Sequence, residues 1–165
     1  MKIRRILYPT DFSEASKAAM TAACEFADTF EAELHVLHVL HDLASLMPFT
    51  AIAIWTDPDH INEISDKAKH MLAEIPDANW SKGKDVLRKV VVGNVAIEIT
   101  TYAHLHCIDL IVIGTHGHSG LMHALLGSTA EKVVRTAECP VLTVPSKTAP
   151  AIDTAPRNPQ SPILD

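Results

Sequence analysis

The segment LIVIGTHGHSGLMHALLGST, residues 110–129, carries the strongest indication of the fold of this 165-residue chain. It opens on four aliphatic residues, Leu110 to Ile113, that are nearly all β-branched and that Gly114 follows at once. Such a run, without polar alternation, predicts a strand that is buried on both faces. At Ser128 a helical pattern begins that lasts to Ala137. A buried strand thus leads, through a glycine-containing loop, to the N-terminus of a helix.

The same alternation of aliphatic runs and helical patterns extends toward both ends of the chain. Capping residues and the helical spacing of apolar residues predict helices that begin after Ser13, near Pro58, after Asn94 and at Ser128. Strands are predicted at residues 3–8, 34–40, 86–92, 110–113 and 141–144. The order βαβαβαβαβ, with strands that are apolar on both faces, predicts an α/β domain. We expect a doubly wound, five-stranded parallel sheet with helices on both faces.

Composition and charge argue against several classes of protein. Hydrophobic residues make up 47% of the chain and charged residues 21%, as in a globular domain. The formal net charge of −6 argues against a nucleic-acid-binding protein that works through bulk positive charge. No apolar run is long enough to span a bilayer, and Pro9 interrupts the N-terminal apolar residues before a signal peptide is complete. We therefore expect no membrane insertion.

The three cysteines, Cys24, Cys107 and Cys139, have no paired spacing. An odd number of cysteines without a pattern argues against a disulfide framework and is typical of a reducing compartment. Each of the three lies beside apolar residues and is interpreted as a small buried hydrophobe. The expected location is the cytoplasm.

Residues 1–145 are predicted to form the domain, and two segments do not follow its pattern. His41–Thr56 joins the second strand to the second helix and is long for a connection within a compact domain. Residues 146–165 are rich in proline and contain little that could be buried, so they are interpreted as a flexible C-terminal tail.

Three glycines around the segment that follows the fourth strand indicate a site for phosphate. Gly114 and Gly117 allow a sharp turn and a close approach of backbone N–H groups to a ligand, and Gly127 does the same at the start of the last helix. Ser128 and Glu131 have the spacing of a capping box, and the dipole of the helix favours an anion there. Together these features indicate a phosphate-binding loop, but neither GxxxxGK[ST] nor GxGxxG is present, and glycines at a strand end more often form only a turn.

An acidic residue follows the first strand, at Asp11. Ligands of doubly wound sheets bind beyond the carboxyl ends of the strands, where the strand order reverses. If the first and fourth strands are neighbours, Asp11 faces the glycine loop across that crevice, where a carboxylate suits a ribose hydroxyl or a metal-bound phosphate. The alternative is a turn residue just ahead of Ser13, and the local sequence favours it at least equally.

The sequence resembles the universal stress protein family in four places. Residues 6–13, ILYPTDFS, are similar to the family's first strand and turn, and residues 109–117, DLIVIGTHG, to its fourth strand and loop. Residues 139–144, CPVLTV, are similar to its last strand. The spacing Gly114-x2-Gly117-x9-Gly127-Ser128 resembles the pattern of the family's ATP-binding branch. The resemblance covers residues 1 to about 145.

This resemblance implies a strand order of 3-2-1-4-5 and a bound ATP whose phosphates carry Mg²⁺ or Mn²⁺. It implies a nucleotide-dependent regulator of the stress response and a homodimer that pairs through Val141 to Val144. The nucleotide-binding residues that it implies are Thr10, Asp11, Val39, Gly114, His116, Gly117, Gly127, Ser128 and Thr129. Position 116 can be arginine in this family, and a neutral imidazole at His116 neutralises phosphate charge less well than a guanidinium.

Three other interpretations compete with this one. A slow Mg- or Mn-dependent ATPase would use Asp11 and a bound metal, but no arginine or lysine is placed to stabilise the transition state. A nucleotide-free interaction module is at odds with the intact glycine spacing. A transition-metal site on His116, His118 and His123 lacks a nearby thiol or carboxylate, so no such site is predicted.

Overall fold

The computed structural model of the chain describes residues 2–42, 58–115 and 127–145. Ten helices and strands lie within these ranges, numbered in chain order. They are β1 (Arg5–Pro9), α1 (Glu14–Phe30), β2 (Glu33–His41), α2 (Pro58–Ala73), α3 (Ala78–Ser81), β3 (Val86–Gly93), α4 (Val95–Leu105), β4 (Leu110–Gly114), α5 (Ser128–Thr136) and β5 (Val141–Val144). The four-residue α3 is the one element of this set that the sequence patterns do not predict.

The five strands form one parallel sheet in the order β3-β2-β1-β4-β5. The predicted fold class and the strand order implied by the family resemblance are both confirmed. β1 pairs with β2 on one side and with β4 on the other, with Ile6 opposite Leu34 and Leu110. The order of the strands therefore reverses between β1 and β4, and their carboxyl ends open on the same crevice.

Alternating side chains of the three central strands build a core on each face of the sheet. Leu7, Leu37 and Ile111 pack toward α4 and α5, while Ile6, Val36 and Val112 pack toward α1 and α2. All six are fully buried. Because both faces are covered, these strands are rich in aliphatic residues on both faces, and β4 is a continuous aliphatic run, which is why the sequence pattern predicts them.

Side chains cap α1 and α4 as the sequence predicts. The Ser13 hydroxyl accepts the N–H of Ser16 at 3.2 Å, and the Asn94 amide oxygen accepts that of Ile97 at 3.4 Å. Each cap satisfies an N–H group that has no partner within its helix.

The predicted capping box at the start of α5 is wrong. The N-cap is Gly127, Ser128 is the first helical residue, and Glu131 forms an ion pair with Arg135 at 3.0 Å. The Gly127 N–H donates to the Thr115 carbonyl at 2.6 Å, and Gly127 rather than Ser128 occupies the cap position, while the helix begins at Ser128 as predicted. α5 therefore begins without a side chain at its cap position.

The three cysteines are free, as expected, but they are not equally buried. Burial raises the pKa of the Cys24 thiol to about 12, so this thiol stays protonated at physiological pH. Cys139 is half-buried, and burial likewise raises its pKa. Cys107 is exposed, so its interpretation as a buried hydrophobe is wrong.

Two expectations about chain organisation concern segments largely outside the described ranges. The tail at residues 146–165 lies outside them, and so does His41–Thr56 except for His41 and Asp42. His41 is the last residue of β2, so the connection begins one residue later than predicted. In the part of the chain that is described, no helix has the length and apolar character needed to cross a membrane.

His35 is a polar residue in the core between β2 and α4. Only 2% of it is exposed. Its Nδ1 lies 2.9 Å from the Tyr102 hydroxyl, and its Nε2 lies 3.5 Å from the Glu33 carboxylate and has no hydrogen bond within the described ranges. Burial lowers the pKa of the His35 imidazole, the nearby Glu33 opposes this shift, and His106 and Arg5 reinforce it. The folded protein therefore holds this imidazole neutral.

We expect His35 to make the free energy of unfolding decrease as the pH falls below about 6.5. In the unfolded chain His35 binds a proton near that pH, whereas the folded chain resists the proton until the pH reaches its lower pKa. Above neutral pH both states hold it neutral, and this contribution vanishes. Urea unfolding of wild type and His35→Asn at a series of pH values measures this contribution of His35 to the free energy of unfolding. The variant keeps a polar atom for Tyr102 and is expected to show a shallower decrease.

The control for this measurement is His70→Asn, which replaces an exposed histidine of α2. We expect its pH dependence to match that of the wild type. An equal slope in His35→Asn and wild type would contradict the assignment of this pH dependence to His35.

Candidate functional site

A crevice of about 460 Å³ lies at the carboxyl ends of the central strands. It is enclosed by the ends of β1, β2 and β4 and by the first turns of α1, α4 and α5. Its lining consists of Pro9, Thr10, Asp11, Ser16, Leu37, Val39, His41, Val95, Ile99, Ile113, Gly114, Thr115, Gly127, Ser128, Thr129 and Ala130. This is the place in a doubly wound sheet where ligands bind.

One wall of the crevice is aliphatic. Leu37 and Val39 come from β2, Val95 and Ile99 from α4, and Ile113 from β4. Leu37 and Ile99 are almost completely buried, so they also belong to the core and hold the wall rigid. An apolar wall with a few polar groups at its margins suits a ligand that has a flat apolar part and a polar part.

Asp11 lies in a tight turn at the end of β1. Its Oδ1 accepts the N–H of Ser13 at 3.0 Å, and the Thr10 N–H donates to the Leu37 carbonyl at 2.9 Å. The Phe12 N–H donates to the Thr10 hydroxyl at 3.0 Å. The two interpretations of Asp11 are therefore compatible, because it is a turn residue that also lines the crevice.

The Thr10 side chain belongs to a buried network of hydroxyl groups beneath the turn. Its Oγ1 lies 3.1 Å from the Tyr8 hydroxyl and 3.1 Å from Ser16 Oγ. Tyr8 also donates to the Ser16 carbonyl at 2.9 Å, and burial raises the pKa of the Tyr8 phenol. Thr10 lines the crevice, but its hydroxyl joins the end of β1 to the first turn of α1.

Backbone hydrogen bonds place the N-terminus of α5 at the crevice. The Thr115 N–H donates to the Val144 carbonyl at 2.9 Å, and Thr115 in turn accepts the N–H of Gly127. Gly127 caps α5 without a side chain, so no cap side chain occupies the N–H groups of the first turn. These N–H groups and the helix dipole favour an anion beside Ser128 and Thr129.

The structure brings together all the predicted site residues that it describes. Thr10, Asp11, Val39, Gly114, Gly127, Ser128 and Thr129 all line the crevice. His116 and Gly117 lie outside the described ranges, as do His118 and His123 of the alternative metal site. Among the residues at 2–42, 58–115 and 127–145, no group of three His, Cys, Asp or Glu side chains is placed to hold a metal ion.

Sequence reasoning missed His41, Thr115 and every residue of the aliphatic wall except Val39. The periodicity of β2 offers a signal for part of this set, because Leu37, Val39 and His41 alternate along one face of the strand. Thr115 offers no such signal, because its role depends on contacts with residues 127 and 144.

A larger cavity, about 630 Å³, lies at the opposite end of the sheet, near Lys2, Ala32 and Asp85. Three of its polar side chains pair with one another: the Asp28 carboxylate accepts the Trp80 indole N–H at 2.9 Å and forms an ion pair with Lys84. This pairing lowers the pKa of Asp28. Because the strands begin there, the smaller crevice at their carboxyl ends is the better candidate for a ligand site.

Comparisons with known proteins point to one family. The model of the Universal stress protein family matches residues 2–145. Universal stress protein MJ0531 of Methanocaldococcus jannaschii is 33% identical over 142 residues, which are 86% of this chain and 81% of that protein. Universal stress protein MJ0577 of the same organism is 32% identical over 155 residues, with 87% of this chain and 96% of that protein covered.

Solved structures agree with the sequence comparisons. The structure of MJ0577 superimposes with a TM-score of 0.75 at 29% identity and covers 89% of this chain and 99% of its own. A universal stress protein in complex with cAMP superimposes with a TM-score of 0.57 at 25% identity, covering 88% of this chain and 99% of its own.

Proposed function

Since this chain belongs to the universal stress protein family, we propose that it binds ATP in the crevice and acts as a nucleotide-dependent regulator in the stress response. The observation that carries the proposal is the arrangement of three features around one cavity. The aliphatic wall, the Asp11 turn and the uncapped N-terminus of α5 all line it. A similar protein in complex with cAMP supports an adenine nucleotide as the class of ligand.

The adenosine part would occupy the aliphatic side of the crevice. Val39 and Ile113 offer apolar surface to the base, and Asp11 offers a carboxylate that can accept a hydrogen bond from a ribose hydroxyl. Thr10 supports Asp11 through the hydroxyl network beneath the turn.

The phosphates would lie at the N-terminus of α5. The backbone N–H groups of its first turn and the hydroxyls of Ser128 and Thr129 are donors that suit phosphate oxygens. We propose Gly114, His116 and Gly117 as further members of this part of the site. A bound Mg²⁺ or Mn²⁺ would neutralise phosphate charge, which matters in a chain of net charge −6.

The first test is thermal unfolding of the purified chain with and without ATP and Mg²⁺. A ligand that binds only the folded state, at about a hundred times its Kd, adds about 2.7 kcal/mol to the free energy of unfolding. For a chain of this length that corresponds to an increase in Tm of about 5–10 °C. GTP with Mg²⁺ is the control and is expected to give a smaller shift.

The outcome that would contradict the proposal is the absence of any shift at millimolar ATP. Analysis of nucleotide released from freshly purified, denatured protein by mass spectrometry tests the same proposal independently. If the protein is a regulator, bound radiolabelled ATP should remain on the protein for a long time without repeated cycles of hydrolysis. Rapid multiple turnover would favour the ATPase interpretation.

The homodimer through Val141 to Val144 also stays a proposal. β5 is the terminal strand of the sheet, and its four side chains are only half-buried within one chain. Sedimentation equilibrium of the purified protein tests it, and a monomer at micromolar concentration would contradict it.

A further inference from the structure

We infer that His38 is a positioning residue that holds the Asp11 turn in the conformation in which it lines the crevice. His38 is not one of the residues that line the crevice in the described part of the chain. It follows Leu37 and precedes Val39 on β2, so its side chain lies on the opposite face of the sheet. The inference rests on the proposed function, because it assigns Asp11 to the nucleotide site.

The first contact of His38 is with the residue before Asp11. Its Nδ1 lies 2.8 Å from the carbonyl oxygen of Thr10. Because a carbonyl oxygen only accepts hydrogen bonds, this ring nitrogen carries the proton and donates it. The Thr10 N–H donates to the Leu37 carbonyl, so β2 holds Thr10 by both of its backbone polar groups.

The second contact of His38 is with the residue after Asp11. The imidazole and the Phe12 ring are 4.4 Å apart between centroids, with an angle of 35° between their planes. Phe12 has a φ of 64°, in the left-handed region, where a residue with a side chain is strained. Such a conformation persists only when its surroundings hold it, and the His38 ring and the core packed by α1 surround Phe12.

His38 therefore holds the turn on both sides of Asp11 without touching the crevice. The hydrogen bonds from Phe12 N–H to Thr10 Oγ1 and from Ser13 N–H to Asp11 Oδ1 are formed within the turn itself. These local bonds orient the Asp11 carboxylate relative to the turn, whereas His38 orients the turn relative to the sheet. Loss of the His38 donor should displace Asp11 while the core remains packed.

The test uses variants of the full-length chain that separate the two contacts. His38→Phe keeps a ring against Phe12 but removes the donor, and His38→Asn keeps a donor close to the position of Nδ1 but removes the ring. We expect His38→Phe to raise the Kd for ATP–Mg²⁺ about tenfold and His38→Asn to change it by less than about threefold. His70→Phe, on the exposed surface of α2, is the matched control and is expected to leave Kd unchanged.

Amide hydrogen exchange supplies a second readout that needs no nucleotide. In His38→Phe the Ser13 amide should exchange about tenfold faster, because a turn that β2 holds less firmly opens more often and its internal bond from Ser13 N–H to Asp11 opens with it. The Ile111 amide in β4 should stay as protected as in the wild type. If His38→Phe does not fold, His38→Gln replaces it, because glutamine carries its donor one bond farther out. The glutamine variant is then expected to behave as the phenylalanine variant would.

The two readouts separate the inference from the proposed function. If the wild type does not bind ATP but the Ser13 amide responds to His38→Phe, the proposed function is wrong and the positioning role stands. If the wild type binds ATP while His38→Phe changes neither Kd nor Ser13 exchange, the positioning role is wrong. Equal losses in the asparagine and phenylalanine variants would also overturn the assignment to the Nδ1 donor.

Discussion

Gly127→Val is expected to weaken ATP binding at least about a hundredfold, or about 2.8 kcal/mol, while the domain still folds. Gly127 has φ −68° and ψ 152°, an extended conformation that valine adopts readily. The backbone at this position therefore does not require glycine. Space is the remaining reason for it, because the residue lines the crevice directly before the first turn of α5.

The size of the effect follows from what the phosphates need. They would approach the N–H groups of the first turn of α5, where the N-cap has no side chain. A branched side chain at residue 127 adds bulk beside these donors and keeps a phosphate group out of hydrogen-bond distance. The hydrogen bond from the residue 127 N–H to the Thr115 carbonyl involves backbone only, so the variant retains the attachment of α5 to β4.

Isothermal titration with ATP and Mg²⁺ measures this effect, together with the Tm of the unliganded variant. Valine is a poorer N-cap than glycine, so a loss of about 1 kcal/mol in the free energy of unfolding is expected. Thr136→Val, at the exposed far end of α5, is the matched control and should bind ATP like the wild type. If Gly127→Val also binds normally, the phosphate part of the proposed site is in the wrong place.

The fold could be predicted where one local pattern determines an element. Leu110 to Ile113 forms a buried strand because both faces of β4 are covered. A strand covered in this way consists of consecutive aliphatic residues, so the local sequence predicts it. The order of the strands is not a local property, and only the family resemblance supplied it. α3 was missed because four residues capped by Asp77 are too few to show a helical period.

The site could be predicted to the extent that glycines and capping residues signal local backbone geometry. Gly114, Gly127 and the start of α5 at Ser128 were found in this way, but the residue at the cap position of α5 was not. A hydrogen bond between Thr115 and Gly127, twelve residues apart, holds Gly127 there. The contacts of His38 could not be predicted from the local sequence either. Its place on a strand was predicted, but its contacts with Thr10 and Phe12 depend on how β1 and β2 pair.

We expect Arg88→Met to lower the free energy of unfolding by about 2–3 kcal/mol. Like His38, Arg88 on β3 has a role that depends on contacts with residues distant in the sequence. Its Nε donates to the carbonyls of Leu72 at 3.0 Å and Ile75 at 2.9 Å, and its Nη2 donates to Ser81 Oγ at 3.1 Å. The guanidinium thus caps the C-terminal end of α2 and joins it to α3 and the sheet. A cation also interacts favourably with the negative end of the helix dipole.

Methionine at residue 88 keeps most of the aliphatic volume but leaves the carbonyls at the end of α2 without their charged donor. Urea unfolding of Arg88→Met measures the loss, and Lys89→Met, an exposed neighbour on the same strand, is the matched control that should change stability by less than about 0.5 kcal/mol. Equal effects in the two variants would mean that removal of positive charge, rather than of these hydrogen bonds, destabilises the protein. A large loss in Arg88→Met alone would establish that an edge strand, through a single side chain, stabilises the helices that cover one face of the sheet.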